Sequence, residues 1–180
     1  GKRSAERLVF SLLKNETGLG KKIGNSLADL QDSIHRCEIC GNYCEKTEAQ
    51  CPICKKSSRD QHVICVVETP IDLIAIEKTH EYRGQYHVLH GVLSPMNRVN
   101  IEDLNIQSLF ERATNPVTEI ILATSGTTES EATALYLHDR LSKIFDGKVS
   151  RPSRGIPTGG DLDFLDTGTL TRALLDRRNI

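Results

Sequence analysis

Four cysteines of the 180-residue chain fall as two Cys-x-x-Cys pairs, Cys37-Glu-Ile-Cys40 and Cys51-Pro-Ile-Cys54. Two residues between the sulfurs of a pair let a tight turn aim both at one ion, and two such turns complete a tetrahedral thiolate site. Four thiolates fill the coordination shell of Zn²⁺ and leave no position for water or substrate, so the chemistry expected here is structural rather than catalytic. Cys44 lies between the pairs and is a rival ligand, and His35 could replace a cysteine. The two matching turns favour Cys37, Cys40, Cys51 and Cys54. Cys65 sits in an apolar run and reads as core.

A second set of residues could handle metal differently. Glu68 ends one apolar run, while Glu129 and Glu131 follow another, and three carboxylates at strand ends are an arrangement that can hold Mg²⁺ for phosphoryl transfer. The same residues have a plainer reading. Thr128-Glu-Ser-Glu131 is a capping-box sequence, in which Glu131 reaches back to the start of its helix and needs no metal. Both readings stand at this point. Gly155-Ile-Pro-Thr-Gly-Gly160 lacks the Gly-Lys-Ser/Thr ending of a nucleotide loop and reads as a turn. No Gly-x-Ser-x-Gly elbow supports a serine hydrolase.

The third set is basic. Residues 1–22 contain six Lys or Arg against two Glu, a balance of +4 that the net charge of −1 conceals. Gly1-Lys-Arg-Ser-Ala-Glu-Arg7 opens a helix after glycine, where unpaired N–H groups and the helix dipole favour phosphate, and Lys2, Arg3 and Arg7 add charge. A solvated helix face explains the same residues. Gly18-Leu-Gly-Lys-Lys-Ile-Gly24 offers a second such turn or a simple helix connection. With four Tyr, four Phe and no Trp, stacking on bases is not the main mode of binding.

The elements that must position these groups can be read from periodicity. Ala5, Leu8, Val9, Leu12 and Leu13 mark a helix over about Arg3–Leu13, and Ile23, Leu27, Leu30 and Ile34 mark a second. Val63-Ile-Cys-Val-Val67 reads as a buried strand, with Pro70 opening the next helix. Further strands fit Tyr86–Leu89, Ile120–Ala123 and Val149, and a helix carries Leu137, Leu141, Ile144 and Phe145. Strand and helix alternate from Val63 to about Ser150, which predicts an α/β fold with a mostly parallel sheet. Ligands of such sheets lie beyond the carboxyl ends of the strands, here Glu68 and the loop from Thr124 to Glu131. A last helix spans about Thr169–Arg177. No apolar run approaches the roughly 20 residues that cross a bilayer and no signal peptide opens the chain, so a cytoplasmic protein without membrane association is expected.

In order, the basic helix, the cysteine turns, Val66-Val67-Glu68-Thr69-Pro70, Glu129-Ser-Glu131-Ala-Thr-Ala134 and Arg154-Gly-Ile-Pro-Thr-Gly-Gly160-Asp-Leu-Asp closely resemble the RecR family of bacterial recombination mediators. The resemblance covers essentially the whole chain. It implies a helix-hairpin-helix-like N-terminal unit over residues 1–36, truncated because Gly1 falls inside the family's hairpin. A four-cysteine zinc element over 37–60, a Toprim domain over 61–150 and a C-terminal assembly segment over 151–180 follow. It implies DNA as a partner, contacted by Lys2, Arg3 and Arg7, and action with RecO and RecF to load RecA at DNA gaps. Homo-oligomeric rings, commonly tetramers, are implied as well. Toprim enzymes resemble Asp-x-Asp-Arg-Glu-Gly-Glu where this chain has Ser125-Gly-Thr127-Thr-Glu129-Ser-Glu131, so two carboxylates that would hold Mg²⁺ are hydroxyl residues. The resemblance therefore implies a scaffold rather than an enzyme, with Glu68, Glu129 and Glu131 left as a surface for a partner such as RecO. The alternative is a Mg²⁺-dependent Toprim phosphoryl-transfer enzyme, primase-like or nuclease-like.

Overall fold

Apolar stripes along the first thirty residues form the two expected helices, α1 (Lys2–Leu13) and α2 (Leu19–Ser33), in a computed structural model that describes residues 1–14, 17–153 and 155–177. Gly18, with φ of 70°, turns the chain into α2. Neither helix buries a residue, and Leu8, Leu13 and Leu27 are 66%, 74% and 65% exposed. Ile34 departs from the expected pattern. It leaves the helix and starts β1 (Ile34–Arg36), its extended backbone serving as the cap of α2. β1 pairs antiparallel with β2 (Tyr43–Glu45), which places His35 opposite Cys44. These elements belong to the first of two compact units, Gly1–Ser58 and Arg59–Ile180.

The second unit is built around β3 (Asp60–Val67), whose last four residues are buried on both faces. A strand that hides both faces must be central, and β3 lies between β4 (Gly84–Val88) and β5 (Glu119–Ala123), with β6 (Lys148–Ser150) beyond β5. All pairings are parallel, in the order β4-β3-β5-β6. Helices connect the strands as the alternation requires. α3 (Pro70–Glu77) begins on Pro70 behind a Thr69–Asp72 capping box, and α4 (Gln107–Arg112) and α5 (Thr128–Leu141) follow. Ile64, Val66, Ile120 and Leu122 share a core with Leu109 of α4 and Leu137 and Leu141 of α5. Cys65 is buried, and burial pushes its thiol up to about 12, as suits a core residue. The last helix, α6 (Thr167–Leu175), starts two residues earlier than periodicity suggests, because Asp166 caps it by accepting from the Thr169 N–H. Among the described residues no helix is long and apolar enough to cross a membrane.

One polar network ties the edge strand β4 to the segment leading into α4. His87 is fully buried. Its Nε2–H donates to the Asn105 carbonyl at 2.6 Å, while Nδ1 faces Arg112 at 3.2 Å. Arg112 also donates to the Tyr86 carbonyl and the Gln85 side chain. Burial lowers the His87 pKa to about 4 from its ordinary 6.5. Between those values the unfolded chain binds a proton that the folded chain refuses, so this contribution is complete above pH 6.5 and is lost as the pH falls toward 4. Urea unfolding should show roughly 2–3 kcal/mol less stability from His87 at pH 4.5 than at pH 7. In His87→Gln that pH-dependent share disappears; an unchanged pH profile would rule the account out.

Candidate functional site

The first cysteine pair stands in the turn between β1 and β2. Cys37 follows directly on β1, and its N–H donates to the Asn42 carbonyl at 2.6 Å, closing the hairpin. The chain reverses after Cys40 through Gly41, whose φ of 75° lies in the left-handed region where a side chain is strained. The Asn42 N–H then points back at the Cys40 sulfur, 3.4 Å away. The second pair is seated on the first. The Cys51 N–H donates to the Cys37 sulfur at 3.3 Å, and a turn closed by Lys55 N–H on the Cys51 carbonyl carries the chain through Cys54.

The sulfurs of Cys37, Cys40, Cys51 and Cys54 all lie within 4.8 Å of one another, and Cys40 and Cys51 are 3.6 Å apart. Four sulfurs around zinc at about 2.3 Å would stand about 3.8 Å apart, so the cluster has the size of a tetrahedral thiolate site. Hydrogen bonds from Cys40 and Cys54 hold the Cys51 thiol far below its ordinary range, and the same contacts push Cys40 and Cys54 up. Sulfurs this close cannot all ionise against each other without a cation between them. The backbone N–H groups aimed at sulfur favour the thiolate form that a metal needs. The rival ligands are occupied elsewhere. The Cys44 sulfur is 3.3 Å from His35 Nε2, and both face the Glu48 carbonyl, bracing the loop that delivers Cys51.

The carboxylates sit where the strand order of the parallel sheet reverses. β4 lies on one side of β3 and β5 on the other, so the carboxyl ends of β3 and β5 flank the switch point. Glu68, just past β3, accepts from the Ser125 N–H at 2.6 Å and its hydroxyl at 3.3 Å, across that gap. The capping-box reading of Thr128 and Glu131 is not what the chain does. Thr127 is the cap, accepting from Ser130 N–H, and Glu131 is one residue too far along to reach back. Glu131 instead receives both arms of Arg151, at 2.9 and 3.1 Å, with Arg172 at 3.8 Å. Glu129 projects from the first turn of α5. Among the described residues the four cysteines are the one group of three or more metal-ligating side chains whose donor atoms converge, so Glu68, Glu129 and Glu131 form no such cluster.

Arg151, Arg172, Thr124, Ser153 and Thr169 line a cleft of about 660 Å³ beyond β5 and β6. Periodicity does not single out Arg151, which lies twenty residues from Glu131. The register of β6 on β5 does, since Arg151 follows β6 at the same edge where Thr124 follows β5. At the other end of the chain, Lys2, Arg3 and Arg7 are exposed in the first two turns of α1, and Arg3 and Arg7 share a face at i, i+4 spacing. Gly1 caps α1 without a side-chain bond, its carbonyl accepting from the Ser4 and Ala5 N–H groups. Arg154, part of the Pro-Gly-rich motif, lies outside the described residues; Thr158-Gly159 beyond it forms the expected turn.

Comparison with known proteins covers both units. Residues 62–151 match the family model of the Toprim domain, and residues 155–178 match that described as RecR, C-terminal. The Recombination protein RecR of Thermobifida fusca is 46% identical over 179 residues, covering 99% of this chain and 88% of the relative. That of Bifidobacterium adolescentis is 44% identical, covering 100% and 89%, and that of Chlorobium phaeobacteroides 41%, covering 98% and 88%.

Proposed function

Because the chain belongs to the RecR family of recombination proteins, and so to DNA recombination and repair, we propose that it is a DNA-binding mediator that works beside RecO and RecF to load RecA at DNA gaps. The observation that carries this reading is the extent of the likeness, which runs from α1 through the cysteine turns and the sheet to α6. In this reading Lys2, Arg3 and Arg7 contact DNA phosphates, Cys37, Cys40, Cys51 and Cys54 hold a structural Zn²⁺, and Glu68, Glu129 and Glu131 receive a partner protein such as RecO. The labour divides as residues 1–36 for DNA, 37–60 for zinc, 61–150 for the Toprim domain and 151–180 for assembly. The setting is the cytoplasm, at the nucleoid.

A scaffold rather than a phosphoryl-transfer enzyme is supported by what surrounds the strand ends. Ser125 hydrogen-bonds Glu68, and Arg151 takes the charge of Glu131, so two of the three carboxylates are engaged by protein groups. We take the assembly to be a ring of four copies; open apolar residues in each unit, Leu8, Leu13 and Leu27 in one and Phe164, Leu174 and Leu175 in the other, support self-association. A closed ring needs each chain to offer two interfaces.

Phosphate contacts predict a specific salt response. With Arg3→Ala and Arg7→Ala together, binding to gapped DNA should weaken at every sequence, and the slope of log K against log salt should shrink by about 1.8 on duplex DNA. Fluorescence anisotropy across a salt series reads both quantities. Binding with an unchanged slope would remove α1 from the DNA interface.

A further inference from the structure

Glu131 is half-buried in the first turn of α5 and is gripped by the segment that follows the sheet. Arg151 donates one arm to each carboxylate oxygen and reaches Thr124 as well, and Arg172 of α6 approaches the same carboxylate. Glu68 is met by the neutral donors of Ser125, and the Glu129 carboxylate has no partner among the described residues. Among the described residues, the carboxyl end of the sheet thus carries two carboxylates with no cation against them and a third whose cations come from the chain's own C-terminal segment.

We propose that Arg151 and Arg172 are a built-in competitor for the docking surface: an arginine-bearing segment of a partner protein engages Glu131 by displacing them, and thereby frees the segment carrying α6. The inference rests on the reading of Glu68, Glu129 and Glu131 as a docking surface. The group being replaced is a planar fork matched to two oxygens, so the incoming group must be a guanidinium rather than a lysine ammonium to restore both bonds. Glu68 and Glu129 draw the basic segment in, and the cleft beside Arg151 gives it room to enter. The exchange is reciprocal. Whatever holds the C-terminal segment away from Glu131 strengthens docking, and docking loosens that segment to the same degree.

The test uses the full chain and a fluorescein-labelled peptide carrying three arginines spaced by glycine, read by anisotropy at low salt. Arg151→Ala should bind this peptide roughly 5- to 10-fold more tightly than the wild type. Arg151→Lys, which keeps the charge but loses the fork, should fall between. Glu131→Gln, alone or with Arg151→Ala, should lose the tight binding, and a trilysine peptide should not discriminate among the variants. Peptide added to the wild type should also raise hydrogen exchange in α6. If Glu131→Gln abolishes binding but Arg151→Ala leaves it unchanged or weaker, the competitor is refuted and the docking surface survives. If all variants bind alike, the docking surface itself is refuted.

Discussion

Cys40→Ser is expected to abolish binding of the proposed zinc and unfold the hairpin around it. Cys40 is fully buried, 3.6 Å from Cys51 and aligned by the Asn42 N–H, so its loss removes a ligand and breaks the turn that aims Cys37. Structural zinc contributes on the order of 10–16 kcal/mol in small modules, far more than β1 and β2, three residues each, can supply alone. Native mass spectrometry should pass from one zinc per chain to none, with circular dichroism losing the hairpin signal while the buried core of the sheet persists. Cys44→Ala is the control. Its sulfur pairs with His35, so zinc should be retained. Zinc retained in Cys40→Ser and lost in Cys44→Ala would invert the ligand assignment.

Glu77→Ala ranks second. Arg59 is an ion-pair partner of Glu77, and its side chain is only 10% exposed. The Glu77 carboxylate raises the Arg59 pKa, so this guanidinium stays charged. It also donates to the Tyr82 and Gly84 carbonyls and lies 5.9 Å from the Tyr86 ring centre, which fixes the start of β3 against β4. Removing the carboxylate leaves a largely enclosed cation with only its carbonyl and ring partners, a change that costs about 2–3 kcal/mol, below the range for a fully buried pair. Denaturant unfolding should reveal the loss, and Arg59→Met added to Glu77→Ala should recover part of it, because the stranded charge goes too. A loss below about 1 kcal/mol would mean that water reaches the pair.

The parts legible in the sequence are those fixed by local chemistry. The cysteine spacing named the four converging sulfurs, since a two-residue interval lets a tight turn aim both sulfurs of a pair at one point. Val63 to Val67 announced a strand buried on both faces, and Pro70 announced the helix after it, because proline is tolerated in a first turn and nowhere deeper. Where reasoning from residues missed, a tertiary partner decided. Ile34 fits the apolar face of α2 at i+4 from Leu30, yet pairing with Glu45 pulled it into a strand. Glu131 fits a capping box counted from Thr128, yet Thr127 supplied the cap and Arg151 supplied a stronger partner. That partner could not be seen until β6 was laid beside β5. The apolar faces of α1 and α2 were legible as stripes, but what covers them is not encoded in their own period.

The register of the sheet sets an order of events during synthesis. β3 cannot pair with β5 until residue 123 has been made, whereas all four cysteines have left the ribosome's active centre by residue 54. Contacts between distant residues form late because a long loop must close first, and nearby ones form early. The cysteine turns can therefore capture their ion on the nascent chain while the sheet still lacks its partner strands. If that ion is the proposed Zn²⁺, its supply acts on an early folding step of the protein.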